Sequence, residues 1–390
     1  MFTKRLIYTS LINVFFISMS FSQQKISEAD AETHSLQLFN NANWKELLQY
    51  GKETIKNGTD FSLLRMRTGY AAFMLSNYSQ SLKNYEVVNQ AEPNNNISLY
   101  YCYLNNLYLN NTAAMRYYAS KLDEETKKAE KLKPVKISEL GLEYSFKNPN
   151  ITERGNAQYA LLSINTQLGY KLEIQQGIAL YNQIIDEPKL VYINNNKKID
   201  ISQKEYFAKL IYIPFAKLTI IGGFHYVYTP FNNYIFNNTI AFGGLKYATP
   251  YIHLQGLVHI ANVTDTNYNQ FDVAINTYPM GNMNIYTISK AMIGDTTIFT
   301  QVVGAKVMKN TWLESNVTIG KYETLIDNDG LYLVNDIDTK KFKVGASMYV
   351  LLNKKFLLSL NYNFEEKQKY QTTNNNFNQY SITINLKWKL

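Results

Sequence analysis

Hydrophobic and polar positions change period once along this chain, near Pro134. From Glu28 to Lys133 the apolar residues recur at helical spacing, and from Val135 onward they recur at every second residue. The closing stretch carries the second pattern most cleanly. Tyr380, Ile382, Ile384, Leu386, Trp388 and Leu390 alternate with Ser381, Thr383, Asn385, Lys387 and Lys389. One face is apolar throughout and the other polar throughout. Many preceding stretches repeat this alternation, which predicts a membrane β-barrel with an apolar outside and a polar lumen.

Pro134 marks the boundary, because proline cannot continue a helix and pushes its predecessor to extended geometry. The first strand follows at once, with Leu140, Leu142, Tyr144 and Phe146 on one side and Glu139, Gly141, Glu143 and Ser145 on the other. Two further strands, Ala157–Gly169 and Lys171–Ile185, meet at a tight turn. Short turns are read near Gly169, Pro214, Pro250, Pro279–Asn282, Asn310 and Asn353. Longer polar links are read at Asn148–Asn156, Asp186–Lys198, Thr229–Asn233, Ala261–Asn267, Asp327–Lys340 and Glu366–Asn376, with a shorter one at Gly294-Asp295. That alternation suits a barrel of about 14 strands, with short periplasmic turns and long extracellular loops. Twelve or 16 strands are the alternatives, because Asp329–Ile337 has room for an extra hairpin.

The helical part repeats itself. Asn43-Trp44, Asn77-Tyr78 and Asn111-Thr112 recur at steps of 34 residues (44 to 78 to 112), the tetratricopeptide period. The stretch Ser76–Asn95 resembles the second half of such a repeat, with an aromatic opening a helix and Pro93 ending it. Gly69 stands where the repeat carries a small residue for close helix approach. Three repeats would form a short curved slab, closed by the charged cap Asp123–Lys133. Tyr100, Tyr101, Tyr103, Tyr108, Tyr117 and Tyr118 crowd the third repeat. They are candidates for docking a periplasmic protein partner or for packing against the barrel rim.

Lys4-Arg5, the apolar run Leu6–Ile17 and Ser20-Phe21-Ser22 read as an export signal over residues 1–22. The expected organisation is therefore a signal, a periplasmic helical domain over 23–133 and an outer-membrane barrel over 135–390. The 32 tyrosines and 20 phenylalanines, together with a negative mean hydropathy, fit aromatic girdles around a barrel with a polar interior. The net charge of +8 is scattered, with no basic helix, so no nucleic-acid partner is expected. Cys102, the only cysteine, reads as a small buried hydrophobe.

Strand parity assigns the lumen. Glu139, Glu143 and Glu173 point in, as do Lys387 and Lys389 on the last strand. Closure would bring Lys387 or Lys389 beside Glu139, an ion pair across the seam. His225, His253 and His259 also have inward parity, but His225 and His259 lie two strands apart, about 9–10 Å. Convergence on a metal or an acid–base site is therefore not expected. Asp327-Asn328-Asp329-Gly330 with Asp336 and Asp338 looks calcium-like, yet lacks the loop spacing and the terminal glutamate, and reads as a solvated extracellular turn. No cofactor, metal or catalytic residue is expected.

An export signal, a short tetratricopeptide segment and a terminal barrel together resemble the YaiO-type outer-membrane β-barrel proteins. The resemblance rests on the Asn77–Pro93 signature and the alternating terminal strand. It implies all-α repeats followed by an antiparallel transmembrane barrel, and it carries no catalytic motif. The Asn- and Tyr-rich composition also looks like that of a Bacteroidetes-type, Gram-negative genome. The expected function is a non-enzymatic outer-membrane barrel whose repeats dock a partner or the rim. The second reading is an export porin for a polysaccharide or small polymer, which requires an open lumen. A third, a lipid-acting barrel enzyme, needs a lipid-facing Ser–His pair that parity does not supply.

Overall fold

The computed structural model describes residues 26–186, 198–231, 234–249, 251–280, 282–372 and 374–390. The export signal read at 1–22 lies outside them, as do Pro250 and most of the link 186–198. Seven helices come first: α1 (Glu28–Asn40), α2 (Trp44–Lys56), α3 (Ser62–Met74), α4 (Tyr78–Ala91), α5 (Asn96–Tyr108), α6 (Thr112–Lys121) and the short α7 (Glu124–Ala129). The residues spaced by 34, Trp44, Tyr78 and Thr112, each open a helix. Asn77, Asn95 and Asn111 precede α4, α5 and α6, and each side-chain oxygen accepts the N–H three residues on. That bond satisfies a backbone donor the helix itself leaves free. Leu82, Tyr85, Leu99, Cys102, Tyr103 and Tyr118 form the largest helical core. Burial pushes the Cys102 thiol well above its ordinary pKa. Cys102 is therefore expected to resist alkylation in the folded protein and to react fully in urea, as a thiol-labelling time course would show.

Fourteen strands then close a barrel in which each pairs with its sequence neighbours and the last with the first. They are β1 (Val135–Pro149), β2 (Arg154–Leu168), β3 (Leu172–Ile185), β4 (Ile199–Phe215), β5 (Leu218–Phe231), β6 (Tyr234–Ala248) and β7 (Ile252–Val263). The second half comprises β8 (Thr266–Thr277), β9 (Ile285–Ile293), β10 (Thr297–Met308), β11 (Thr311–Asp327), β12 (Tyr332–Leu351), β13 (Phe356–Gln368) and β14 (Asn376–Lys389). Pro214, read as a turn, lies inside β4, whose turn to β5 falls at Ala216-Lys217. The seam is antiparallel, in register from Glu139 opposite Lys389 to Pro149 opposite Gln379. An even strand number puts both ends of the barrel on the rim that carries the helices, called here the helix-side rim; the other is the far rim.

The outer surface is apolar where alternation requires it. Leu142, Leu162, Ile178, Leu245, Ile260 and Ile382 are each about half exposed or more, while the residues flanking them in sequence face inward. A band of this kind is stable only against hydrocarbon. No helix among the described residues is long and apolar enough to cross a membrane.

Candidate functional site

The link Asp327–Lys340, read as an extracellular loop, is instead the tip of a β-hairpin folded into the lumen. β11 and β12 pair regularly up to Ile319 opposite Phe342, where the register shifts. Gly320, at φ +134°, turns the chain inward; Tyr322 pairs with Lys340, and after a second shift pairing runs from Thr324 opposite Asn335 to Asp327 opposite Tyr332. The hairpin runs down the inside of β8: Tyr268 donates to the Thr324 carbonyl (3.3 Å), and Gln270 bonds both the carbonyl and the N–H of Ile326 (2.6 and 2.9 Å). Lower still, Gln255 on β7 donates to Asp329 at 2.6 Å. Asn328, Asp329 and Gly330 all take positive φ at the tip. At Gly330 a Cβ would lie 2.6 Å from the Phe242 ring, so only glycine seats the turn on that face.

The correction has a physical reason. The hairpin carries Ile326, Leu331 and Leu333 as well as its aspartates, and these apolar residues pack on Phe207, Ile221, Ile240, Phe242 and Leu257, which line the inside of β4–β7. The aspartates each meet a base, Asp327 while still partly exposed in the lumen. Asp329 pairs with Lys209 (3.3 Å), Asp327 with Lys290 (2.8 Å) and Asp336 with Lys367 (2.6 Å). Asp338, at the hairpin root, takes a two-pronged bond from the Arg154 guanidinium, 2.7 Å on each side, with both side chains 2% exposed.

Half of the lumen residues read from the sequence, Glu139, Glu143, His225 and Lys387, serve this hairpin or the seam. Glu143 accepts from Tyr332 on the hairpin (2.9 and 3.0 Å) and from Asn385 on β14 (2.9 Å). His225 lies 3.0 Å from the Gly330 carbonyl and 3.2 Å from Glu205. His259 is fully buried, 3.4 Å from Asp272, which also holds Lys290. Phe242 packs against His259, and its stacking partner Phe207 meets His225 edge-on, so two rings stand between the histidines. His253 packs edge-on against Tyr278. Among the described residues no group of three His, Cys, Asp or Glu is placed to hold a metal. At the seam Lys387 reaches Glu139 at 3.3 Å, while Lys389 is exposed at the rim.

Glu173 belongs to a different contact. Its inward carboxylate, at the helix-side mouth, is taken by Arg116 of α6, which also donates to the carbonyls of Leu172 (2.7 Å) and Gly169 (3.3 Å). Lys217 on the β4–β5 turn pairs with Glu86 at 2.9 Å, and Tyr170 and Ala216 pack on the helical core. Of the six tyrosines, Tyr103 and Tyr118 are core residues. Tyr101 stacks on Tyr85, Tyr100 bonds Glu130, and Lys171 of the β2–β3 turn sits over the Tyr117 ring. Tyr108 alone of the six is exposed, stacked on Tyr78.

Between the hairpin and the barrel wall lies a cavity of 680 Å³, lined by residues of β1–β4 and β7–β14 and by the hairpin itself. Arg154 and the hairpin escaped sequence reading because a single acidic run looks alike in water and in a polar lumen. A usable signal existed: Ile240, Phe242 and Leu257 put apolar side chains on the inward parity, which in a water-filled barrel has no cause.

No protein-family model matches the chain, and no curated protein matches it. Among solved structures it is similar to a TodX deletion mutant described as a monoaromatic hydrocarbon channel (12% identity, TM-score 0.48, 65% of this chain and 90% of that one). It is also similar to the Pseudomonas putida toluene transporter TodX (11%, 0.43, 71% and 92%). A Pseudomonas aeruginosa FadL homologue gives 8%, 0.43, 71% and 93%.

Proposed function

We propose that this chain is a non-enzymatic outer-membrane barrel that passes small polar solutes alongside an inward-folded hairpin, with its helical domain in the periplasm. The observation that carries the reading is the division of the lumen. The hairpin packs on the inside of β4–β8 and leaves beside it a 680 Å³ cavity bounded mainly by β9–β14 and β1–β3, with edges on β4, β7 and β8. An unobstructed export porin is disfavoured, because a long polymer would have to displace the hairpin and its four acid–base contacts. The export signal read at 1–22 supports the periplasmic placement; turn length does not, because Thr264-Asp265 on the far rim, read as part of a longer link, is as short as Ala216-Lys217 on the helix side. Helix starts at steps of 34 residues support the tetratricopeptide and YaiO-type reading. The docking partner favoured for the helices is the barrel's own rim, through Arg116 and Glu173.

Planar-bilayer recording tests this. The full chain is expected to give small, steady conductance steps. A variant in which Thr324–Asn335 is replaced by a two-residue turn is expected to give steps several times larger. Equal conductance from the two would remove the hairpin from the reading, and no conductance from either would remove conduction altogether.

A further inference from the structure

Resting on that reading, we infer that the solute favoured by the cavity is a neutral, hydroxyl-rich molecule such as a saccharide or polyol, not an ion of either sign. The wall opposite the hairpin is built in lateral rows. One row crosses five strands as Ser145, Thr383, Asn361, Ser347 and Glu314. The next, one pleat toward the far rim, runs through Lys147, Ser381, Asn363, Gly345 and Asn316. Each residue faces the residue beside it across a strand spacing of about 4.8 Å. The middle of both rows is uncharged, and Asn and Ser offer donors and acceptors together, the combination a hydroxyl-bearing solute also offers. Such a solute can exchange hydrogen bonds from row to row without desolvating a charge.

The charges stand at the two ends of this stretch with opposite sign. Toward the far rim are Lys147, Lys290, Lys340, Lys343 and Lys367 against Asp327, Asp336 and Glu365, five ammonium groups to three carboxylates. Toward the helix side are Glu143 and Glu314. Both take their hydrogen bonds from tyrosine hydroxyls, with an amide added at Glu143. Among the described residues neither pairs with a lysine or arginine. A cation is therefore opposed at the lysine level and an anion at the carboxylate level, while a neutral solute meets neither barrier.

Uptake into proteoliposomes of the full chain tests this with three labelled solutes of similar size: arabinose, gluconate and lysine. Arabinose is expected to enter roughly tenfold faster than either charged solute. N361L and N363L, close in volume to the native residues, are expected to slow arabinose several-fold while the potassium chloride conductance holds. Gluconate or lysine entering as fast as arabinose overturns the inference while leaving the conduction reading intact. Conductance without entry of arabinose also overturns it, and the absence of both conductance and uptake overturns the two together.

Discussion

Replacing Arg154 with methionine is expected to loosen the hairpin root and to cost about 3–5 kcal/mol of stability. The guanidinium and the Asp338 carboxylate are both almost fully buried, and their paired 2.7 Å bonds replace the water each has lost. Taking away the cation leaves Asp338 with the Tyr370 N–H (3.0 Å) as its remaining strong donor. A buried carboxylate without a counter-charge is among the most destabilising groups a protein can hold. Urea unfolding followed by tryptophan fluorescence should show the loss, and bilayer recordings should show flicker to a larger conductance. The double variant R154M/D338L is expected to recover most of the stability, because apolar side chains of similar volume are tolerated where a half-pair is not. K341A is the contrast. Its partner Glu366 is 36% exposed and Lys341 itself 27%, so its loss should cost less than about 1 kcal/mol. An R154M variant as stable as K341A would mean that Ile326, Leu331 and Leu333 hold the hairpin without the ion pair.

The contrast between those two pairs also marks what the residues announce by themselves. Alternation is a property of neighbouring positions, so Tyr380–Leu390 discloses its strand, its two faces and its partner across the seam. The register then places Lys387 beside Glu139. Steps of 34 residues likewise disclose where α2, α4 and α6 begin. The hairpin is a different kind of fact. Arg154 and Asp338 are 184 residues apart, and no local pattern says which of many lumenal bases an aspartate will meet. What local pattern does say is that Ile240, Phe242 and Leu257 need an apolar partner on the inward face. The acids of Asp327–Asp338 drew attention as a calcium-like run, when Leu331 and Leu333 between them were the better guide to where the segment goes. The tyrosines of α5 and α6 left two readings open for a related reason. Aromatic crowding signals packing without saying against what, and here the rings stack on one another and on the barrel turns.

Arg116→Ala is expected to detach the helical domain from the mouth of the barrel. Arg116 is 3% exposed and Glu173 7%, and the guanidinium also answers two backbone carbonyls of the β2–β3 turn. Removing it strands the carbonyls of Gly169 and Leu172 and leaves Glu173 charged and buried with only the Gln175 amide (2.7 Å) to answer it, at a cost of about 3–5 kcal/mol to docking. The cost falls on the interface rather than on either body, since the helical core and the barrel seam are each built from their own residues. Limited trypsin digestion reads this directly. The connection from α7 to β1 offers trypsin Lys131 (Lys133 precedes Pro134 and resists it), but Leu132 is packed against the helical core and its carbonyl accepts from Tyr170 of the turn (3.4 Å). The native chain is therefore expected to be cut slowly there, and R116A to release the helices as a fragment. R116K should fall between them, because an ammonium cannot span the carboxylate and both carbonyls as the planar fork does. R116A/E173A should regain part of the protection, since no buried charge is left alone. Digestion of R116A at the native rate would show that Tyr170, Ala216 and the Lys217–Glu86 pair suffice to hold the two parts together.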